Sequence, residues 1–151
     1  RAEDIPLFVE EMLERLALPV DEHSVAMVDA LERIRDLRHQ DSPEQLSAAI
    51  ARVFPCDGSA VGTVPAALAA FLLSTSFEGA VIAAVNCGGD TDTIGAMTGA
   101  LAGAFYGVKA IPERLTANLA NDKRGRDYVI ALGAKLGALT RKRSGKRLEI
   151  E

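Results

Sequence analysis

The sequence is poor in the residue types on which several common kinds of site depend. Its 151 residues include no tryptophan, two histidines and two cysteines. Cys56 and Cys87 stand alone, without a CxxC pair or a nearby histidine, which argues against a disulfide framework and against a zinc site. We therefore expect two buried thiols of a reducing compartment, and a cytoplasmic protein.

Long apolar runs and an excess of positive charge are also missing. The longest apolar stretches are interrupted by Asn86, Asp90 and Asp92, so no segment offers the ~20 apolar residues that span a bilayer. The net charge of −4 argues against non-specific binding to nucleic acid. Basic residues gather near the end, where we predict a basic, flexible, solvated tail over residues 141–151. Neither a membrane nor a nucleic acid is expected as a partner.

The pattern that remains is helical, since no β-alternation and no hairpin dipeptide between apolar runs is present. The clearest start signal is Ser42-Pro43-Glu44-Gln45, with Ser42 as N-cap and Gln45 completing a capping box. Ser76 is predicted to cap a later helix. An all-α fold follows, with residues 1–140 forming one helical region. The predicted helices run from Asp4 to about Leu16, from Asp21 through Leu37, from Ser42 to Pro55, from Thr63 to about Thr75, from Phe77 to Asn86, from Thr93 to Tyr106, from Pro112 to about Leu119 and from Tyr128 to Thr140.

One predicted helix carries a glycine at every fourth position. These glycines would form a ridge without side chains, and each interior glycine costs about 1 kcal/mol relative to alanine. The expected compensation is a neighbouring helix packed backbone to backbone against the ridge. The glycines are Gly95, Gly99, Gly103 and Gly107.

The segment Gly88-Gly89-Asp90-Thr91-Asp92-Thr93 crowds two carboxylates and two hydroxyls into four consecutive positions before this helix. Burying such charges without compensation is costly, and a bound cation would relieve the repulsion. Hard oxygen ligands favour magnesium, calcium or manganese. The sequence therefore predicts a metal site at Asp90 and Asp92.

Three other interpretations of the acidic segment compete with this one. An EF-hand fails, because its fifth and twelfth positions would be Ile94 and Leu101. A phosphatase with Asp90 as nucleophile and Asp92 as acid would need a surrounding parallel α/β pattern. The third alternative is a doubly acidic helix start that only complements the helix dipole.

A longer stretch around the motif narrows these choices. Residues 88–107, GGDTDTIGAMTGALAGAFYG, closely resemble the C-terminal motif of the ADP-ribosylglycohydrolase family. Residues 63–68, TVPAAL, and 111–113, IPE, resemble two further segments of that family. The resemblance covers roughly residues 58–119.

The resemblance implies a compact orthogonal helical fold and a site for two magnesium ions, with manganese as a substitute. It assigns Asp90, Asp92 and Thr93 as metal ligands and Asp90 and Asp92 as catalytic residues, with Gly88 and Gly89 approaching the substrate. The family's other ligands lie in N-terminal motifs that this sequence does not contain. The chain is therefore expected to be the C-terminal half of a larger domain, with the N-terminal half as its partner.

The function implied is magnesium-dependent hydrolysis of the glycosidic bond between ADP-ribose and an acceptor, either a protein side chain or a small molecule. The alternatives are a catalytically inactive relative that binds ADP-ribose or serves a structural role, and the phosphatase.

Overall fold

The computed structural model describes residues 11, 14, 22–37 and 40–148. All regular structure within these ranges is helical. The helix predicted over residues 4–16 lies outside the described residues apart from Glu11 and Glu14, and so does the predicted start at Asp21. The helices are α1 (Glu22–Glu32, continued by a 3-10 turn over Arg33–Asp36), α2 (Pro43–Val53), α3 (Ala60–Leu72), α4 (Phe77–Val85), α5 (Thr91–Tyr106, followed by a 3-10 turn over Val108–Ala110), α6 (Glu113–Thr116) and α7 (Arg126–Leu148).

Both predicted N-caps are confirmed. The Ser42 hydroxyl accepts a hydrogen bond from the amide of Gln45, and the Ser76 hydroxyl accepts one from the amide of Gly79. The Gln45 side chain accepts from the amide of Asp41, one residue before the cap, so the predicted capping box is shifted by one position.

The start predicted for α3 at Thr63 and Pro65 is wrong, because the helix begins at Ala60, three residues before Thr63. Ser59 is the N-cap, and its hydroxyl accepts from the amide of Gly62 at 3.1 Å. The Thr63 hydroxyl donates to the carbonyl of Ser59 instead of starting the helix. Pro65 lies inside the helix, fully buried, at a position where it has no amide hydrogen to donate to the carbonyl four residues earlier.

The core is built by α1 to α5. Large buried side chains come from α1 and α2 and the turns after them, whereas α3 and α4 contribute mainly alanines. Because alanine side chains are small, α3 can approach α5 closely. The main core cluster contains Leu31, Ile34, Leu46, Ile50, Phe54, Ala66, Ala67, Ala70, Ala83, Ala84 and Ile94.

Helices α3 and α5 run side by side in the same direction, and hydrogen bonds join them along their length. The amide of Asp90 donates to the Cys56 carbonyl before the two helices begin. The hydroxyl of Thr98, which is fully buried, donates to the Ala67 carbonyl at 3.2 Å near their middle. At their far ends the Tyr106 hydroxyl donates to the carbonyl of Ser74.

The sequence predicts that a neighbouring helix packs backbone to backbone along the glycine ridge, but the structure does not show this packing along the whole ridge. A Cβ added at Gly95 would meet a methyl group of Val85 at 2.9 Å, but one added at Gly99 would meet no atom within 4 Å. At Gly103 the nearest atom, on the Phe77 ring, would lie 3.8 Å away. These contacts show that α4 and α5 form an antiparallel pair. The close packing with α3 instead uses the α5 face that carries Ile94, Thr98 and Ala102.

Residues from Pro112 onward form a second compact unit. Helix α6 is a four-residue helix, shorter than the predicted segment that ended near Leu119. Helix α7 begins two residues before the predicted Tyr128 and runs to Leu148, so the backbone of residues 141–148 is helical. Among the helices that the structure describes, none is both long and apolar enough to cross a membrane.

Candidate metal and substrate site

The acidic motif begins in the short connection between α4 and α5. Gly88 and Gly89 both have left-handed backbone conformations, with φ of 82° and 71°. A Cβ at Gly89 would overlap the carbonyl oxygen of Cys56 and lie 2.8 Å from the carbonyl carbon, whereas a Cβ at Gly88 would meet nothing within 4 Å. Gly88 is thus favoured by conformation alone, and Gly89 is required by conformation and by close packing.

The acidic motif packs against the loop between α2 and α3. The Asp90 amide donates a 2.7 Å hydrogen bond to the Cys56 carbonyl. Gly58 also lies near Asp90, since a Cβ added at Gly58 would be 3.7 Å from a carboxylate oxygen of Asp90. The sequence identified residues 56–59 only as a loop, and no signal within it predicted this contact with the motif.

The side chains of Asp90 and Asp92 come together at the start of α5. Asp92 is exposed, and its Oδ1 accepts a hydrogen bond from the amide of Thr93 at 3.0 Å. A hydrogen bond with the Asp90 carboxyl group lowers the pKa of Asp92 below its ordinary value, and the bond from the Thr93 amide lowers it further. The two carboxyl groups therefore interact at the start of α5.

Helix α5 begins at Thr91, two residues before the predicted start at Thr93, with Asp90 in the N-cap position. Asp90 contributes no side-chain capping bond there. Its carboxyl group is thereby left to interact with Asp92. Thr93 lies in the first turn, and its side chain is exposed.

The chemistry of these donors suits a hard divalent cation. Asp90 and Asp92 place two carboxyl groups at the start of α5, and the exposed Thr93 adds a hydroxyl one residue further along the chain. Within the described ranges no group of three or more histidine, cysteine, aspartate or glutamate side chains could hold a metal. Because magnesium requires about six oxygen ligands, Asp90, Asp92 and Thr93 can supply only part of its coordination.

The two cysteines flank the motif: the Cys56 carbonyl accepts from the Asp90 amide, and Cys87 directly precedes Gly88. Both are free thiols and both are buried, as predicted. Burial raises the pKa of Cys56 to about 12, with a further contribution from the neighbouring Cys87. The Cys87 Sγ donates to the Ala84 carbonyl at 3.0 Å. Nothing in the sequence indicated that Cys56 lies beside the motif.

The phosphatase interpretation is not supported by this geometry. It requires Asp90 at the end of a parallel strand, but the motif follows helix α4, and the described part of the chain contains no strand.

Comparison with protein-family models gives a match to ADP-ribosylglycohydrolase over residues 1–146. Relatives include the uncharacterized protein YegU of Escherichia coli (strain K12), which is 38% identical over 87 residues, 57% of this chain and 26% of YegU. An uncharacterized protein of Archaeoglobus fulgidus is 32% identical over 130 residues, 84% of this chain and 38% of that protein.

A third relative is the ADP-ribosyl-dinitrogen reductase glycohydrolase of Rhodospirillum rubrum. It is 46% identical over 52 residues, which make up 34% of this chain and 18% of the relative. The chain thus spans well under half the length of each of these relatives. No solved structure matches it significantly.

Proposed function

This chain belongs to the ADP-ribosylglycohydrolase family, and we propose on that basis that it supplies the acidic motif of an enzyme that releases ADP-ribose from an acceptor. The acceptor would be an ADP-ribosylated protein side chain or a small molecule that contains ADP-ribose. The Rhodospirillum rubrum relative is named as a glycohydrolase of ADP-ribosylated dinitrogen reductase, which supports this class of substrate.

The observation that carries the proposal is the pairing of Asp90 with Asp92 directly after two side-chain-free residues. The carboxyl groups meet at the start of α5, and the space beside the Gly88 Cα is open. A sugar could approach this backbone closely while both carboxylates face it. Positive charge develops on the ribose ring as a glycosidic bond breaks, and nearby carboxylates stabilise that charge.

Asp90, Asp92 and Thr93 would hold magnesium, with two ions expected and manganese as a substitute. When bound, the metal would supply Lewis acidity toward the ribose hydroxyls and toward a water molecule. The chain's own contribution is to keep the two carboxylates together, through the Thr93 amide on Asp92 and the Cys56 carbonyl on the Asp90 amide.

We further propose that the remaining ligands come from an N-terminal half, because the longer relatives extend far beyond the part that matches this chain. The chain alone is then expected to bind magnesium weakly, and it would act in a cytoplasmic enzyme. A non-catalytic binder of ADP-ribose is the second candidate, favoured by the incomplete set of ligands among the described residues.

The test is release of free ADP-ribose from ADP-ribosylated arginine and serine peptides by the full-length gene product that contains this chain. We expect release only with magnesium or manganese. Asp92→Ala should abolish it and Asp90→Ala should nearly do so, while Asp122→Ala, in the second unit, serves as a matched loss of one exposed carboxylate. Magnesium-independent release, or normal activity in Asp92→Ala, would contradict the proposal. ADP-ribose binding without any release would establish the second candidate.

A further inference from the structure

The loop between α2 and α3 has an unusual backbone conformation where it meets the acidic motif. Cys56 has a φ of 51°, and among the residues that the structure describes it is the one non-glycine residue with a positive φ. Its carbonyl accepts the 2.7 Å hydrogen bond from the Asp90 amide. A residue keeps such a strained conformation only where the surrounding structure holds it. The contacts of the residues around Cys56 therefore determine whether the Asp90 amide keeps its acceptor.

The side chain of Thr63, in the first turn of α3, holds the residue that follows Cys56. Thr63 is 4% exposed, and its hydroxyl donates a 2.7 Å hydrogen bond to the carbonyl of Asp57. The same hydroxyl also donates to the carbonyl of Ser59, at 2.6 Å. Threonine within a helix commonly makes this second, local bond, but the bond to Asp57 reaches a residue outside the helix. The Thr63 hydroxyl thus ties the loop to α3.

Packing alone gives no reason for a hydroxyl at this buried position. Valine has nearly the same shape as threonine and would fill the same space without a polar group that has to be bonded. Both acceptors of the Thr63 hydroxyl are backbone carbonyls, and the one on Asp57 lies one residue from the carbonyl that binds the Asp90 amide. What the hydroxyl adds is therefore a restraint on the loop.

We infer that Thr63 is a positioning residue for Asp90. Thr63 holds the carbonyl of Asp57, and the Asp90 amide binds the carbonyl of the residue before it. Only the two backbone torsions of Asp57 separate these carbonyls, so a movement of one is passed on to the other. Without the Thr63 hydroxyl, Cys56 can relax toward an ordinary φ, and its carbonyl then turns away from the Asp90 amide.

The consequence for catalysis rests on the proposed function, in which Asp90 is a magnesium ligand. Removal of a group that orients a metal ligand typically lowers metal affinity by about 10–100-fold. Loss of the Thr63 hydroxyl should therefore weaken magnesium binding, while saturating magnesium should restore the rate of release. A residue that only stabilised the fold would instead lower the amount of active enzyme at every magnesium concentration.

The position of Asp90 can be tested without metal or substrate, by hydrogen exchange in the metal-free chain detected by NMR. In Thr63→Val we expect the Asp90 amide to exchange about tenfold faster relative to amides in the middle of α5. Thr63→Ser keeps the hydroxyl and should retain the wild-type ratio. Ser47→Ala is the matched control and should also retain it, because Ser47 is likewise buried but its hydroxyl donates within α2, to the Glu44 carbonyl.

The full-length enzyme tests the catalytic consequence. Thr63→Val should raise the magnesium concentration that gives half-maximal release of ADP-ribose by about tenfold, with kcat at saturating magnesium within about twofold of wild type. Thr63→Ser and Ser47→Ala should match wild type in both values. Thr63→Ala, which has the higher helix propensity, takes the place of Thr63→Val if that variant fails to fold.

An unchanged exchange ratio for the Asp90 amide in Thr63→Val would overturn the inference. Equal acceleration of all amides would overturn it too, because it indicates a role in stability alone. A lower kcat with an unchanged dependence on magnesium would contradict the effect on the metal. If the wild-type enzyme releases no ADP-ribose, the proposed function fails, and the exchange ratio by itself decides the role of Thr63.

Discussion

Gly89 lies so close to Cys56 that a single methyl group would overlap the Cys56 carbonyl. The next residue, Asp90, donates its amide to that same carbonyl. One peptide group in the α2–α3 loop therefore fixes both the backbone of the motif and the position of its first carboxylate.

Gly89→Ala should destabilise the protein strongly. The substitution combines a left-handed backbone with a steric overlap against backbone atoms that cannot move aside, and we expect a loss of about 3 kcal/mol in the free energy of unfolding. Chemical denaturation monitored by circular dichroism measures this loss. Gly88→Ala is the matched control, because only the backbone conformation opposes it, and it should cost about 1 kcal/mol. Equal losses in the two variants would contradict the packing at Cys56.

Gly99→Ala should stabilise the protein, because Gly99 lies within helix α5 and an added Cβ would meet no atom within 4 Å. The expected gain is about 0.5–1 kcal/mol, because alanine has the higher helix propensity. Gly95→Ala should gain less or lose stability, because its Cβ would meet Val85 at 2.9 Å. Thermal and denaturant unfolding of both variants checks the order. A loss of stability in Gly99→Ala would contradict this geometry and favour the backbone-to-backbone packing predicted from the sequence.

Ser59→Ala should cost about 1 kcal/mol, because it removes the hydrogen-bond acceptor for the Gly62 amide at the start of α3. Ser59→Asp keeps an acceptor and should recover most of that loss. Denaturant midpoints of the two variants provide the comparison. If Ser59→Ala were neutral, α3 would begin further along the chain, as first predicted from Thr63 and Pro65.

The pKa of Asp92 should depend on Asp90. A folded-state pKa below the ordinary 3.8 means that ionised Asp92 stabilises the native state above that pH, and this contribution disappears as the pH falls through the folded value. Asp90→Ala removes the main hydrogen-bonding partner and should raise the pKa of Asp92 toward its ordinary value. Asp90→Asn can still donate a hydrogen bond and should keep it low. NMR titration of the Asp92 carboxyl carbon in the metal-free chain measures each value, and an unchanged midpoint in Asp90→Ala would refute the pairing.

The local features of the fold were predictable where a short segment determines its own structure. Ser42 and Ser76 cap helices because their hydroxyls reach amides three residues ahead, and this spacing is visible in the sequence. The start of α3 was not predictable in this way. Ser59, Thr63 and Pro65 all favour a helix start, and the hydrogen bonds that Ser59 and Thr63 make to Asp57 decide between them. The packing predicted for the glycine ridge was wrong for a similar reason. The periodicity of the glycines identifies a face of α5 but does not show which helix covers that face.

The motif itself was recognisable from its residues, but its surroundings were not. Residues 56 and 90 are separated by two complete helices, so the hydrogen bond between them depends on tertiary packing that no local pattern encodes. The pairing of Asp90 with Asp92 was expected from their spacing. The shared dependence on the Cys56 carbonyl could be found only from the fold.

The buried hydroxyl of Thr98 has a consequence for the distance between the two loops at the site. The buried residues of α3 include several alanines, and such small side chains oppose sliding along the helix axis only weakly. A slip of one turn would move the start of one helix past the other by about 5.4 Å. By bonding to the Ala67 carbonyl, Thr98 opposes such a slip two turns away from Asp90. The Thr98 hydrogen bond thus fixes, from within the core, the distance between the starts of α3 and α5.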